Sequence, residues 1–422
     1  IRRAAGLGAL SKEAVVERYE KAFAFCDLLV VGSGPAGLMA ALVAGRAGAD
    51  VILAEEDRLT GGRLNSENEV VGGKPGHAWA GEVIRELAGL PNVRLMTRTT
   101  VTGAYDQGTY GALERAGADA SERRPVETFW RIVAKRAVLA AGALERPIAF
   151  ADNDRPGIMT AGAVRTYLNR YGVACGKRVA IFTNNDSAYR TASDLEASGV
   201  DVVAIIDSRQ DMPVGYGDFR TYASAKVSGT RGRKRLRSIS IEAEGALREF
   251  EVDCLAVSGG WNPTVHLTCH MNGRPKWRAD IQAFCPTPGA VPGLLAAGAC
   301  NGVFSTSACL EAGDAAARQQ LAEIGFSPPR KHLPEVADES YSIKPLWHVP
   351  GRGRAWLDLQ NDVTVKDVAQ AAVENFRSVE HMKRYTTQGM APDQGKNSNV
   401  AALAVLADTT GRGIPETGTT TY

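Results

Sequence analysis

The stretch Cys26–Arg63, CDLLVVGSGPAGLMAALVAGRAGADVILAEEDRLTGGR, constrains the fold of this chain more than any other. Leu28–Val31 is an apolar run suited to a buried parallel strand. Gly32, Gly34 and Gly37 follow at the spacing G-x-G-x-x-G, and an Ala-, Leu- and Val-rich helix comes next. A second apolar run, Val51–Ala54, ends on Glu55. Each part has a physical job. Gly32 permits a tight strand-to-helix turn, Gly34 lets a pyrophosphate approach the backbone, and Gly37 lets helix and strand pack closely. The helix N-terminus offers free N–H groups and a positive dipole to the phosphates. Glu55, eighteen residues after Gly37, can accept hydrogen bonds from a ribose 2′-OH and repels a 2′-phosphate. Strand, helix, second strand and acid stand in register, so the unit is read as a dinucleotide site.

With 422 residues the chain can form two or three domains with sizeable cores. Its net charge of +2 gives no support to nucleic-acid or membrane-surface binding. No apolar run is long enough for a membrane span. No signal-peptide pattern precedes the first domain, and the start at Ile1 and the turn-rich end Gly411–Tyr422 read as cuts in a longer chain. The seven cysteines are scattered and none forms C-x-x-C, which argues against a redox disulfide, an iron–sulfur cluster or a zinc ribbon and fits reduced thiols in a cytoplasmic protein. His266-x-x-Cys269-His270 lacks a second ligand pair, so no metal site is expected.

The fold class expected is α/β, with two Rossmann-like domains and a small C-terminal α/β tail. Residues 1–25 read as a lead-in helix, with Ser11 as N-cap and a stripe of Val15, Val16 and Tyr19 running through Ala22. The first dinucleotide-binding domain is discontinuous, over 26–150 and 286–326. Within it a helix is expected around Trp79–Leu90, strands at Val93–Met96, Thr99–Tyr105, Phe129–Val133 and Ala137–Ala140, a turn at Gly108–Ala112 and a loop at Ser121–Pro125. Residues 151–285 repeat the strand–turn–helix–strand order from Gly176. There Thr183, Asn185 and Ala188 stand where glycines would fall, so this domain is read as retaining the fold without its own dinucleotide. Arg220–Ser238 reads as a basic hairpin or exposed loop, 327–350 as a Pro-rich linker, and 351–422 as a small segment at a subunit interface. Ala355–Leu359 suits a strand, and Val365–Val373 an amphipathic helix capped by Thr364.

Three segments carry a family resemblance: the first glycine fingerprint with Gly61-Gly62, AAGALERPIAFADNDRPGIMTAGAVRTYLNRYG at Ala140–Gly172, and FRSVEHMKRYTTQGMAPDQGKNSN at Phe376–Asn399. The first two resemble the two-dinucleotide-domain flavoproteins that include thioredoxin reductase-like enzymes. The second and third resemble the alpha subunit of heterotetrameric sarcosine oxidase. The resemblance implies a ferredoxin-like domain before this region and an aminomethyltransferase-like domain after it, both missing here. It further implies a complex with beta, gamma and delta subunits that oxidises the CH–NH bond of sarcosine with oxygen as acceptor. The products are glycine, hydrogen peroxide and, with tetrahydrofolate, methylene-tetrahydrofolate. In that family the alpha subunit holds NAD, the beta subunit holds FAD with the amine site, and FMN lies at the alpha/beta interface.

The candidate cofactor residues are Gly32, Gly34, Pro35, Ala36, Gly37, Glu55, Glu56, Gly62, Arg63, Val101, Ala141, Gly142, Gly298 and Ala299. Flavoproteins of this class place an Asp on the ribityl chain after the Gly of the last strand. Here that position is Ala299, which forgoes a hydrogen bond of roughly 0.5–1.5 kcal/mol and tilts the site from FAD toward NAD. The tail concentrates donors suited to an FMN phosphate or an acidic partner: Lys383, Arg384, Thr386, Thr387, Gln394 and Lys396. No nucleophile–base pair is recognisable among the histidines, so no catalytic residue is assigned and the chemistry is left to a cofactor. Three readings stay open: an NAD-holding subunit of a sarcosine-oxidase-like complex, an FAD-dependent amine or opine dehydrogenase subunit without a redox disulfide, and a scaffold with a structural nucleotide.

Overall fold

Leu28, Leu29 and Val30 are wholly buried in the computed structural model, as a continuous apolar run requires of a strand covered on both faces. The structure describes residues 6, 12–13, 17–117, 125–213, 215–337 and 339–419. The central strand β1 (Tyr19–Val31) leads through the glycine turn into α1 (Pro35–Arg46) and back to β2 (Val51–Ala54). β1 and β2 run parallel, with Leu28 opposite Val51 and Val31 opposite Ala54. On its other side β1 pairs in parallel with the long strand Glu127–Leu139. The first half of that strand continues antiparallel into Thr109–Arg115, and its last residues carry Leu294–Ala296 in parallel. A strand that follows in sequence only after the second domain thus returns to complete the first sheet.

Small residues let the layers close. A Cβ on Gly37 would stand 1.8 Å from the Gly32 carbonyl oxygen, and one on Gly313, in the helix Thr306–Glu323, 2.1 Å from that of Ala36. The sheet, α1 and that helix therefore touch backbone to backbone at the glycine turn.

The second domain has a five-stranded parallel sheet in the order Ile158–Thr160, Cys254–Ser258, Arg178–Thr183, Asp201–Asp207, Thr221–Tyr222. The basic stretch after Arg220 belongs to an antiparallel sheet of Lys226–Gly232, Leu236–Ala243 and Ala246–Glu251. The C-terminal helices Val365–Val373, Val379–Thr386 and Asn399–Thr410 share a core of Val368, Met382, Leu403 and Leu406. Thr364 caps the first of them in a reciprocal capping box with Asp367.

Several expectations are corrected. Tyr19–Ala22 open β1 rather than ending a lead-in helix. Residues Tyr19–Cys26 pair along Glu127–Ala134, and outward Phe23 and Phe25 alternate with inward Ala24 and Cys26. Ser11, Val15 and Val16 lie outside the described residues, as do Ser121–Arg124. Phe129–Val133 and Ala137–Ala140 are parts of one strand, and Thr109–Ala112 are strand rather than turn. The Pro-rich stretch 327–350 is no free linker: bridges join Val336 to Val71, Ile343 to Asn185 and His348 to Ala149. The helix Asn399–Thr410 had no counterpart in the sequence reading. It is buried along nearly its whole length, so it shows a run rather than an amphipathic stripe. No helix among the described residues is long and apolar enough to cross a membrane.

Candidate dinucleotide-binding cleft

A cleft of about 680 Å3 opens at the carboxyl ends of β1, β2 and Glu127–Leu139, with the second domain and the C-terminal segment closing its far side. This is where open α/β sheets take ligands. Gly32, at φ +94°, turns the chain out of β1, and a Cβ there would meet the Ala140 carbonyl oxygen at 2.4 Å. Gly34 caps α1 with no side-chain hydrogen bond, so the first N–H groups of the helix are left to whatever enters the cleft. A Cβ on Gly34 would meet nothing within 4 Å, because it would project into open space. The second glycine turn packs against the first: Gly61 N–H donates to the Ser33 carbonyl at 2.9 Å, and a Cβ on Gly62 would stand 2.8 Å from Gly34 Cα. The chain thus offers an uncapped helix terminus beside a cradle that side chains would fill, which fits a dinucleotide diphosphate.

Glu55 is buried at the tip of β2. Its Oε2 accepts from Ser33 N–H at 2.8 Å and Ser33 Oγ at 2.6 Å, and its Oε1 accepts from Asp57 N–H at 2.9 Å. Glu56 follows on the cleft wall, its acidity weakened by burial and by Glu55. Pro35, Ala36, Val101, Ala141, Gly142 and Ala299 also line the cleft. Gly37 and Gly298 lie behind the wall, and Gly298 at φ +72° makes room for Ala36, whose Cβ its own would meet at 2.8 Å.

Arg63, a sequence candidate for a phosphate, lines the cleft but is committed elsewhere. It donates to the Phe304 carbonyl at 2.7 Å and to Thr306, and pairs with Glu69 at 3.2 Å, Glu67 at 3.4 Å and Glu339 at 3.5 Å. Arg190 joins Glu69 at 2.5 Å and Glu339 at 2.7 Å, while Arg165 joins Asp194 at 2.5 Å and Glu67 at 3.5 Å. This buried network ties the first domain, the second domain and the crossing segment together. Although burial opposes it, the arginines Arg63 and Arg190 hold the Glu69 carboxyl well below the usual range. Burial pushes Glu67 up, and Glu339 up to about 7.

In the second domain, Thr183, Asn185 and Ala188 are buried. The turn they form is crossed by the chain's own residues: Ser342 N–H donates to Asp186 Oδ2 at 2.7 Å and Lys344 N–H to the Asn184 carbonyl at 3.1 Å. Arg209 pairs with Asp186 at 2.6 Å and Asp207 at 2.8 Å beneath that crossing. The place where a pyrophosphate would pack holds protein and a carboxylate.

The tail candidates separate. Lys396 lines the dinucleotide cleft, whereas Lys383, Arg384, Thr386, Thr387 and Gln394 do not. Arg384 is exposed, 3.7 Å from Glu380, and Thr386 Oγ1 donates back to the Met382 carbonyl at 2.8 Å. Two ionisable groups of the wall were not among the sequence candidates for the cofactor site. Glu145 accepts from Ser258 Oγ and Gly162 N–H, each at 2.5 Å, and burial pushes it up to about 7. His266 is pushed down to about 4 by burial and by Lys396 and His270, so its imidazole is neutral at pH 7. Glu145 sits inside the family-like segment, but only the fold brings it to the cleft. Among the described residues no group of three or more His, Cys, Asp or Glu is placed to hold a metal ion.

Residues 352–422 match the family described as Sarcosine oxidase A3 domain, and residues 27–124 the one described as FAD dependent oxidoreductase. The chain is 48% identical to sarcosine oxidase subunit alpha of Rhizobium meliloti (strain 1021), over 100% of this chain and 43% of that subunit. It is 40% identical to the corresponding subunit of Corynebacterium sp. (strain P-1), over 99% of this chain and 46% of that subunit. The chain spans less than half the length of these relatives. In fold it is similar to L-proline dehydrogenase from P. horikoshii, with TM-score 0.75 at 20% identity over 97% of this chain and 79% of that one. It is also similar to T. acidophilum thioredoxin reductase, with TM-score 0.55 at 18% identity over 71% and 99%. The α/β class with two Rossmann-like domains is the one expected from the sequence.

Proposed function

The chain is homologous to part of the sarcosine oxidase alpha subunit, and on that premise we propose that it forms the NAD-binding portion of such a subunit. It works in a complex with beta, gamma and delta partners that oxidatively demethylates sarcosine. The observation that carries this reading is the uncapped N-terminus of α1 facing a cleft kept open at Gly34, with Glu55 fixed beside it. The first N–H groups of α1 hold the diphosphate, Gly34 and Gly62 admit it, and Glu55 accepts from the adenosine ribose hydroxyls. Ala299 presents a methyl group where a flavin's ribityl chain would seek an acceptor, which favours NAD. When bound, a nicotinamide ring supplies a site for hydride transfer. The amine site is assigned to the beta subunit, and exposed Arg384 with half-buried Lys383 offers cations to a partner or to FMN at its edge.

A second reading, an FAD-dependent amine or opine dehydrogenase subunit with FAD in the same cleft, is favoured by the match of residues 27–124 to FAD dependent oxidoreductases. The activity is tested by co-expressing the chain, within its full-length subunit, with the other three subunits. Sarcosine-dependent hydrogen peroxide formation that yields methylene-tetrahydrofolate when tetrahydrofolate is present is the expected result. Turnover of an opine in place of sarcosine would move the assignment to the second reading.

A further inference from the structure

Among the described residues after 350, Lys396 and Asn397 reach the wall of the dinucleotide cleft. Lys396 is half-buried, and its charge acts on Glu56 and on His266, both of which line the cleft. Glu56 follows the acid at the tip of β2, which marks the adenosine side of such sites. The ammonium has no hydrogen-bond or ion-pair partner among the described residues, whereas the neighbouring cations Arg63, Arg165 and Arg190 are all paired. A half-buried ammonium without a partner is left short of an anion.

Its backbone, by contrast, is held firmly. The Lys396 carbonyl accepts from Asn262 Nδ2 at 3.0 Å, and Asn262 Oδ1 accepts from Arg146 Nη1 at 2.7 Å. Arg146 is 1% exposed, donates also to the Gly259 carbonyl at 2.8 Å, and lies 4.9 Å above the Trp347 ring, with no carboxylate on it among the described residues. Burying a guanidinium without a counter-charge is costly. What it secures here is the loop that presents Lys396. On the tail side, Gly395 at φ +70° lets Asn399 pack close, since a Cβ would stand 2.2 Å from Asn399 Oδ1, and the Gln394 carbonyl accepts from Asn399 Nδ2 at 3.2 Å.

We propose that Lys396 is a binding residue of the dinucleotide cleft, carried by the C-terminal segment. Its ammonium faces the adenosine diphosphate half of the bound nucleotide, and its loop forms the wall that retains it. Arg146 and Asn262 are positioning residues for that wall. The proposal rests on the dinucleotide reading but not on NAD against FAD, because both carry the same adenosine diphosphate half. It removes Lys396 from any FMN site and couples seating of the C-terminal segment to nucleotide retention.

The test follows release of the co-purified nucleotide from the full-length subunit in its complex, during gel filtration and timed dialysis. Lys396→Ala and Lys396→Met should each speed release about tenfold or more, the scale of a lost hydrogen bond to a charged group. Lys396→Arg should restore retention, and Asn262→Ala should fall between. Unchanged release from both Lys396→Ala and Lys396→Met would overturn the proposal. Gly34→Val serves as the separate control for the cleft. A protein that retains nucleotide equally with and without that change would defeat the dinucleotide reading itself, whatever Lys396 does.

Discussion

Glu55 at the tip of β2 is bound to Ser33 in the glycine turn through both the backbone N–H and the hydroxyl, at 2.8 and 2.6 Å. The acid and the turn are therefore one rigid piece before any ligand arrives. The Glu55 carboxylate is oriented by Ser33 and Asp57, so the ribose meets acceptors whose geometry is already set. Replacing Glu55 with Gln keeps its size but removes the charge and one acceptor, whereas replacing Ser33 with Ala removes only the hydroxyl donor and leaves the backbone N–H on Oε2. Nucleotide affinity should fall roughly tenfold or more in Glu55→Gln and less in Ser33→Ala, as read by calorimetric titration of nucleotide-free protein. Equal affinities in both variants and the parent would mean that Glu55 serves only the turn.

Gly34→Val should abolish nucleotide retention without unfolding the chain. Its Cβ meets no protein atom within 4 Å, so the added isopropyl group projects into the cleft rather than the core. Far-ultraviolet circular dichroism should match the parent while the released nucleotide vanishes. Gly37→Val, whose Cβ would stand 1.8 Å from the Gly32 carbonyl oxygen, should instead fail to accumulate as folded protein.

Much of the first domain was legible because each local signal agreed with its neighbours. The apolar run, the glycine spacing, the small-residue helix and the terminal acid describe one supersecondary unit, and its residues touch one another. What stayed hidden depends on long-range packing. Arg63 reads locally as a phosphate ligand, yet Glu69, Glu339 and Thr306 claim it from three separate stretches of chain. Tyr19–Ala22 reads as helix until the partner strand Glu127–Leu139 is known. Lys396 reads as one of several tail donors, and only Asn262 and Arg146, more than a hundred residues earlier, bring it to the cleft.

The second domain should bind no dinucleotide of its own. Ser342 and Lys344 cross its turn and Asp186 stands at the helix N-terminus there, so a diphosphate would have to displace backbone hydrogen bonds and face a carboxylate. Titration of nucleotide-free protein should saturate at one equivalent per chain. A second equivalent site would show that residues 339–344 lift away.

Breaking the buried network that joins the domains should be costly. Arg190→Ala leaves Glu69 and Glu339 short of a counter-charge, with an expected loss of about 3–5 kcal/mol in urea unfolding. A loss under about 1 kcal/mol would place the network on the footing of a surface ion pair.

Glu145 gives the stability a pH dependence of defined sign. Its folded value of about 7 lies above the ordinary 4.5, so its protonated form favours folding. Its contribution is fully present below pH 4.5 and is lost as pH rises through 7, by about 3 kcal/mol. Glu145→Gln should flatten that fall, gaining on the parent at pH 8 relative to pH 5 in denaturant titrations. Parallel stability curves for the two proteins would mean that Glu145 stays charged when buried.

The central claim is that the first glycine turn holds one NAD. The most direct test is to denature the purified chain, separate the released nucleotide by chromatography and record the visible spectrum of the native protein beforehand. The account predicts one NAD per chain and no flavin absorption band. One FAD per chain, with a yellow protein, would contradict it.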